Sequence, residues 1–275
     1  MQRAGLAFWE SVSKRFRYSP PLTPSETDLA WYRLHAGRCL EASRASTRRA
    51  LLLGVTPGIA AMPRPADAVL VPVDWSDGMI RNVLPHAGAQ RALPVRGDWR
   101  ELPLADASCA VAFCDLFFPA LPSFRDGELA LRELARVLEP GATLCIRCFL
   151  RLDPAEAPEE LLRELAEGRT PDLVVFYMRL AAAVHAESRE GVSVDRVWTL
   201  FDRRFPDRDA LTRLYGTRSQ ALQSIERWKD LSLRYAFLSL GELTALAGPY
   251  FELAETIFPD YIARRQIARV ALRRR

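Results

Sequence analysis

The sequence between residues 50 and 62 reads ALLLGVTPGIAAM. Residues 51–53 are all leucine, which is typical of a short strand that is buried on both faces of a sheet. Gly54 permits a tight turn, and Pro57 suits the first position of a helix because its missing N–H would have no partner there. Gly58 keeps the start of that helix free of a Cβ. The stretch therefore predicts a strand, a turn and a helix whose unpaired N–H groups point beyond the end of the strand.

A second strand is predicted over residues 68–73, and Asp74 follows it, 20 residues after Gly54. In nucleotide-binding α/β units, an acidic residue at about this distance accepts hydrogen bonds from the ribose hydroxyls. The glycine turn and the carboxylate together indicate an adenosine-binding site. The structural alternative is a glycine strand exit at which a helix merely packs closely.

Further predicted strands follow along the chain. They are a third apolar segment that ends at Gly97-Asp98-Trp99, a fourth over residues 109–114 that ends at Asp115, a fifth over residues 142–148 after a Pro-Gly turn, and a final pair over residues 251–258 and 266–272. The final pair predicts an antiparallel hairpin. Such a hairpin is unusual in NAD-binding folds, and the Gly54 to Gly58 spacing matches the NAD glycine pattern poorly.

This ordered series resembles the class I S-adenosylmethionine (SAM)-dependent methyltransferases over about residues 46–150. The residues 137–141, Val-Leu-Glu-Pro-Gly, are similar to the family's signature after its fourth strand and helix. The resemblance implies an α/β, Rossmann-like, seven-stranded and mostly parallel sheet that is closed by an antiparallel hairpin, with SAM as the cofactor. The cofactor-binding residues that it implies are Gly54, Thr56, Pro57, Gly58, Asp74, Trp75, Met79, Asp98, Trp99 and Asp115.

Two positions depart from the family's pattern. The family usually has an acid where this chain has Leu52, and a glycine where it has Thr56. These changes lie around the position of the methionine moiety. They keep open a SAM-consuming enzyme with intramolecular alkyl transfer, or a non-catalytic SAM-binding or scaffold protein, beside the methyltransferase.

Four segments are predicted: a helical arm (1–45), the SAM-binding α/β core (46–150), a helical insertion or lid (151–238), and a helix with the closing hairpin (239–275). In the arm, Thr23 is the predicted N-cap of a helix to about Ala42, with Glu26 completing a capping box. Within the insertion, the predicted helices are Asp153–Gly168, Asp172–Glu190, Val194–Arg203, Asp207–Tyr215 and Thr217–Trp228.

Catalytic candidates come from the arm and the insertion. Tyr18 precedes a Pro-Pro pair that fixes its direction, and with Trp9 and Trp31 it is a candidate to face the sulfonium. His185 is the predicted general base because imidazole titrates near neutral pH. The polar-tipped candidates of the insertion are Tyr177, Arg179, His185, Tyr215 and Tyr235. For each of them, a purely structural role is the alternative.

Composition narrows the class of protein. The chain has 275 residues and a net charge of +4, with 38 basic and 34 acidic residues interspersed. Because the basic residues are not clustered, we expect the protein to have no nucleic-acid partner. No apolar run reaches the ~20 residues of a membrane span, and the start lacks the pattern of a secretory signal, so a cytoplasmic location is expected.

Five cysteines form no extracellular framework. Cys145 and Cys148 resemble half of a metal or redox site, but in a strand they point to opposite faces, so both are predicted to be structural. No metal-ligand spacing is visible. The sequence therefore predicts a metal-independent methyltransferase that acts on a small molecule by in-line displacement.

Overall fold

The computed structural model describes residues 3–16, 18, 20–185, 190–215, 225–260 and 265–275. In these residues, seven strands form one sheet in the order β3-β2-β1-β4-β5-β9-β8 and two short strands form a separate pair. The strands are β1 (Arg48–Leu53), β2 (Ala68–Asp74), β3 (Val95–Arg96), β4 (Cys109–Asp115), β5 (Leu138–Phe149), β6 (Val192–Ser193), β7 (Arg234–Tyr235), β8 (Phe251–Ile257) and β9 (Ile267–Arg274).

The topology is that of an open sheet with a switch point. Strands β1 to β5 pair in parallel, while β9 is antiparallel to both β5 and β8. The predicted seven-stranded, mostly parallel sheet with a closing antiparallel hairpin is thereby confirmed. From β1, the strands β2 and β3 are added on one side, and β4 and β5 are added on the other. Ligands of open α/β sheets bind at the carboxyl ends of the strands at such a switch point, here between β1 and β4.

Helices cover the sheet and fill the insertion. They are α1 (Arg3–Ser13), α2 (Glu26–Ala42), α3 (Pro57–Ala60), α4 (Phe124–Val137), α5 (Pro158–Ala166), α6 (Leu173–Val184), α7 (Val194–Arg204), α8 (Asp209–Tyr215) and α9 (Leu240–Ala247). A π-helical turn (Met79–Val83) and two 3₁₀ turns (Leu84–Ala87 and Phe118–Ala120) lie between strands.

The start of α2 differs from the predicted cap. Ser25 is the N-cap instead of Thr23, and Asp28 instead of Glu26 completes the capping box. The Ser25 backbone N–H donates to Asp28 at 2.8 Å, and the Asp28 N–H donates to the Ser25 hydroxyl at 3.3 Å. Both cap positions carry suitable side chains, and Asp28 prevails because its carboxylate also meets an arginine of the sheet.

The sheet is buried on both faces. Cys145 lies in the core on the face covered by α2 and α3, and Cys148 lies in the core on the face covered by α4 and α9. Both thiols are free and buried, which agrees with their predicted divergence.

The insertion has its own apolar core, which continues onto Phe149 at the end of β5 and Ile267 at the start of β9. Its predicted helices α5 to α8 are present with shifted ends. The prediction of helices throughout was incomplete, because β6 and β7 pair as a short antiparallel ribbon. The predicted end of α6 near Glu190 and most of the predicted helix from Thr217 fall in residues 186–189 and 216–224, outside the described residues.

Candidate active site

A cavity of about 220 Å³ opens at the carboxyl ends of β1, β2 and β4. The arm and the insertion complete its walls. Its lining residues are, from the sheet side, Leu53, Gly54, Val55, Thr56, Asp74, Trp75, Met79, Trp99, Asp115, Leu116, Pro119 and Ala120; from the arm, Phe8, Trp9, Phe16, Tyr18, Leu22 and Thr23; and from the insertion, Val174, Tyr177, Met178, Arg227, Trp228 and Tyr235.

Gly54 forms the floor of the cavity at the exit of β1. Its φ is +79°, and a Cβ at this position would lie 3.4 Å from the Trp99 ring and 3.8 Å from Oδ2 of Asp74. The carbonyl of Val73 accepts hydrogen bonds from the Gly54 N–H and from Nε1 of Trp99, both at 2.9 Å. This carbonyl therefore connects the end of β2 with the residue after β1 and with Trp99, which follows β3. Because Gly54 has no side chain, the cavity surface above it stays uncovered.

The other predicted residues of the glycine loop, residues 56–58, have different roles. Thr56 lines the cavity as the N-cap residue of α3. Pro57 occupies the first turn of α3 as predicted, but it does not line the cavity. Gly58 does not line it either, because a Cβ there would lie 3.2 Å from Leu29 of α2. Its lack of a side chain serves helix packing.

Asp74 presents a buried carboxylate to the cavity. Its Oδ1 accepts the backbone N–H of Ser76 at 2.8 Å. Burial raises the pKa of Asp74 to about 6, against the opposing effect of backbone N–H groups, and the negative charge of Glu10 raises it further. Glu10 of α1 itself accepts hydrogen bonds from the Ser76 hydroxyl at 2.8 Å and the Gly78 N–H at 3.0 Å. The arm is therefore joined to the loop that follows the candidate ribose acid.

Trp75, Met79 and Trp99 line the cavity beside Asp74, as the resemblance implies for walls around adenine. Asp98 does not line it. Its carboxylate is engaged by Arg100, whose Nη2 lies 2.7 Å from Oδ2 and whose backbone N–H donates at 3.0 Å. The predicted contact of Asp98 with the adenine amino group is therefore not supported.

Asp115 lines the cavity at the end of β4, and its carboxylate is held by Arg147 of β5. Burial raises the pKa of Asp115, and the Arg147 guanidinium partly offsets this. Arg147 lies opposite Arg269 of β9, and Arg269 donates to Asp28 at 2.6 Å. Because Nη1 of Arg147 also lies 3.9 Å from Oδ2 of Asp28, these two arginines and two aspartates form one buried network.

Glu10, Arg147 and Arg269 are not among the residues predicted from the sequence. An arginine within a predicted buried strand is itself a signal, because an ionised group is buried only with a partner. Strand register then places Arg147 beside Asp115. Glu10 gave no comparable signal, since its role depends on how the arm docks.

Aromatic side chains dominate the opposite wall. Tyr177 of α6 packs against Trp228 with ring centroids 6.3 Å apart, and Trp228 meets Tyr235 edge to face at 5.9 Å. Tyr18 and Trp9 of the arm also line the cavity. The structure therefore brings together the predicted residues Tyr18, Tyr177 and Tyr235.

Other predicted candidates lie elsewhere. His185 caps the end of α6 between Phe124 and Phe237, does not line the cavity, and has a pKa lowered to about 4 by burial. A general base at His185 is therefore not supported. Arg179 pairs with Glu156, the Tyr215 hydroxyl donates to the Leu165 carbonyl, and Trp31 donates to Glu255.

A comparison with family models matches residues 53–146 to the methyltransferase domain. Residues 53–146 are similar to that domain. The match spans β1 to β5 and contains Gly54, Asp74 and Asp115. It supports the prediction, made from the sequence motifs, of a class I SAM-dependent methyltransferase with SAM as its cofactor.

Several solved structures share the fold of this chain over most of its length. One from Rhodobacter sphaeroides, named for Zn-dependent alcohol dehydrogenases, is 12% identical over 100% of both chains, with a TM-score of 0.64. The DhpI–SAH complex is 12% identical over 98% of this chain and 95% of the other, with a TM-score of 0.52. A SAM-dependent methyltransferase from Methanosarcina mazei is 14% identical over 84% and 93%, with a TM-score of 0.50. At such identities the likeness shows the fold alone. A search of curated protein sequences finds no match to this chain.

Two further observations concern the described residues. None of their helices has the length and apolar character needed to span a membrane. No three of their His, Cys, Asp or Glu side chains are grouped so as to hold a metal ion.

Proposed function

We propose that this protein transfers a methyl group from SAM to a small-molecule acceptor, without a metal ion. The observation that carries the proposal is the shared cavity, in which a glycine floor and a buried carboxylate at the strand ends face an aromatic wall of the insertion. This arrangement supplies one compartment for an adenosyl group and a second for an acceptor.

The residues of the sheet side fit an adenosyl group. The surface above Gly54 is one that a Cβ would fill, and Asp74 offers a carboxylate to ribose hydroxyls. Trp75, Met79 and Trp99 would bound the base, and Asp115 lies where the methionine end would pass. When bound, SAM supplies a methyl group that is already activated by the sulfonium.

The protein then has to align the acceptor and exclude water. Residues of the arm and the insertion would hold the acceptor so that its lone pair faces the methyl group, which SAM would supply while leaving as S-adenosylhomocysteine. Aromatic side chains close the cavity from the arm and the insertion. Burial raises the pKa of Tyr177, so its hydroxyl stays protonated and serves as a hydrogen-bond donor and not as a base.

The segment 151–238 is proposed to be the acceptor lid, and segment 1–45 the arm that covers the cofactor. The cavity walls support this division, because Tyr18 comes from the arm and Tyr177 from the insertion. A cytoplasmic location is proposed as well, since all five cysteines are free thiols. No nucleic-acid partner is proposed, because the cavity is small and its lining contains a single basic side chain, Arg227, among the residues that the structure describes.

The test begins with SAM binding, measured by isothermal titration calorimetry on the wild type, Asp74→Asn and Asp77→Asn. Asp77 lies on the same loop and pairs with Arg81 and Arg96 at the surface, so its variant is the matched control. We expect Asp74→Asn alone to weaken binding. Wild-type protein that fails to bind SAM would overturn the proposal.

Product analysis then tests the reaction. The protein is incubated with SAM labelled in the methyl group and a pool of small molecules, and the products are identified by mass spectrometry. We expect S-adenosylhomocysteine together with a labelled acceptor. Methylthioadenosine would instead indicate intramolecular alkyl transfer, to which the departures at Leu52 and Thr56 point, and unchanged SAM would indicate a binding protein.

A further inference from the structure

Among the described residues that line the cavity, one side chain is basic, Arg227. Arg227 lines the cavity but is exposed to solvent overall. It forms no hydrogen bond or ion pair with any residue that the structure describes. Its charge acts on the neighbouring Tyr18, where it lowers the pKa against the larger raising effect of burial. Among the residues that the structure describes, no carboxylate pairs with this exposed guanidinium.

A second polar group among the residues that line the cavity is buried. Tyr177 is 2% exposed, and its hydroxyl has no hydrogen-bond partner in the described part of the chain. A buried hydroxyl without a partner has lost its hydrogen bonds to water and gained none in return. A ligand group that hydrogen-bonds this hydroxyl offsets that loss, so the hydroxyl favours an acceptor with a polar substituent at this depth.

Between these two polar groups the wall is made of rings. Tyr177, Trp228 and Tyr235 meet at interplanar angles of 60° and 85°, so their ring planes differ strongly in direction. Aromatic ligands pack well against such walls, because edge-to-face contacts are favourable beyond the area they bury.

The negative charges near the cavity are paired or lie on the cofactor side, and Glu226, whose charge acts on Tyr177, is paired with Arg208. Asp115 is already paired with Arg147, and Asp74 lies on the cofactor side. A cation would meet Arg227 and the sulfonium, while a carboxylate would find in Arg227 a planar, forked donor. A phosphate would call for more than one cation.

Resting on the proposed function, we propose that the acceptor is an aromatic carboxylic acid. Its ring packs against Tyr177, Trp228 and Tyr235, its carboxylate pairs with Arg227, and a polar ring substituent hydrogen-bonds the Tyr177 hydroxyl.

The test uses three probes with the same phenol ring: 4-hydroxyphenylacetate, 4-ethylphenol and tyramine, which carry an anionic, a neutral and a cationic tail. Each is titrated by calorimetry into protein saturated with S-adenosylhomocysteine. Exposed ion pairs contribute about 0.2–1 kcal/mol, so we expect the acid to bind about 1.5- to 5-fold more tightly than the neutral phenol. The cationic probe should bind most weakly.

Three variants locate the effect. Arg227→Gln should remove the preference for the acid, and Arg227→Lys should restore part of it. Tyr177→Phe should weaken all three phenols about 2- to 10-fold, as for a neutral hydrogen bond, and leave phenylacetate, which lacks the hydroxyl, unchanged. Arg203→Gln, at an exposed arginine of α7 outside the cavity, is the matched control.

Several results would overturn this assignment while leaving the proposed function intact. They are equal binding of the three probes, tighter binding of tyramine, and no binding of any probe to protein that holds S-adenosylhomocysteine. An Arg227→Gln variant that loses S-adenosylhomocysteine affinity, with the acid preference unchanged, would assign Arg227 to the cofactor. Loss of cofactor binding by the wild type would instead overturn the proposed function.

Discussion

Arg147 on β5 donates two hydrogen bonds to the carboxylate of Asp115 on β4, with 2.5 Å from Nε to Oδ1 and 3.0 Å from Nη2 to Oδ2. The two residues are register partners in adjacent parallel strands, and both side chains are buried. Arg147 also donates to the carbonyl of Pro21 at 2.7 Å. The pair therefore joins the wall of the cavity to the segment between α1 and α2.

Replacing Arg147 by methionine should destabilise the protein strongly. The change keeps an apolar side chain of similar length but leaves the buried Asp115 carboxylate without its partner. Removing one member of a buried ion pair costs about 3–5 kcal/mol. Urea unfolding at pH 7 should show a loss of this size in the free energy of unfolding.

The double variant Arg147→Met with Asp115→Leu should recover a large part of that loss, because no unpaired charge remains at the site. Arg273→Met serves as the control, since it breaks an exposed pair with Glu252 in the same sheet and should cost far less. Losses that simply add in the double variant would show that Asp115 and Arg147 are not coupled.

Gly54→Ala should weaken SAM binding and lower stability. The residue has a φ of +79°, which an alanine adopts only with strain, and the new Cβ would stand in the cavity floor beside Trp99. The backbone strain costs about 1–2 kcal/mol. Calorimetry with SAM and urea unfolding measure the two effects separately.

Gly141 offers a matched control for the strain alone. Its φ is +78°, and a Cβ there would have nothing within 4 Å. Gly141→Ala should therefore lose similar stability and keep SAM affinity. Equal SAM affinity in both variants would mean that the cofactor does not lie on Gly54.

Residues that act through local backbone geometry were predictable from the sequence. The run of leucines, Gly54 and Asp74 determine the exits of β1 and β2 within 25 residues of chain, and the parallel sheet follows from repeating that unit. Asp98 shows the limit of this reasoning. It stands at the expected position, but Arg100, only two residues later, takes its carboxylate.

Residues whose role depends on long-range packing were not predictable in the same way. Tyr177 and His185 both fall within the helix predicted over Asp172–Glu190. Tyr177 lines the cavity, whereas His185 packs between Phe124 and Phe237. Periodicity distinguishes a buried helix face from an exposed one but does not tell a cavity from a core. Glu10 and Arg269 likewise depend on partners 66 and 241 residues away.

SAM binding should weaken as the pH falls below the pKa of Asp74. The carboxylate is the form that accepts hydrogen bonds from ribose hydroxyls, and burial raises its pKa to about 6. With this pKa, the ionised fraction and the affinity should fall about tenfold between pH 7 and pH 5. Calorimetry with SAM across this range measures the change.

Asp74→Asn removes the titrating group, so its weaker SAM binding should change little with pH over the same range. Asp77→Asn keeps Asp74 and should follow the wild type. A wild-type affinity that is as high at pH 5 as at pH 7 would show that ribose binding does not require the Asp74 carboxylate.

His185→Leu should leave methyl transfer unchanged and make the protein less sensitive to acid. Burial lowers the pKa of His185 to about 4, so the unfolded chain takes up a proton first as the pH falls below about 6.5, and stability is lost over that window. At pH 5 this linkage amounts to about 2 kcal/mol relative to pH 7.

Urea unfolding of the wild type should show a drop in the free energy of unfolding from pH 7 to pH 5, and this drop should be smaller by that amount in His185→Leu. His86→Leu, at an exposed site, should behave as the wild type. If His185→Leu instead abolished turnover with SAM affinity and stability at pH 7 intact, the histidine would have a part in catalysis that its position between Phe124 and Phe237 does not explain.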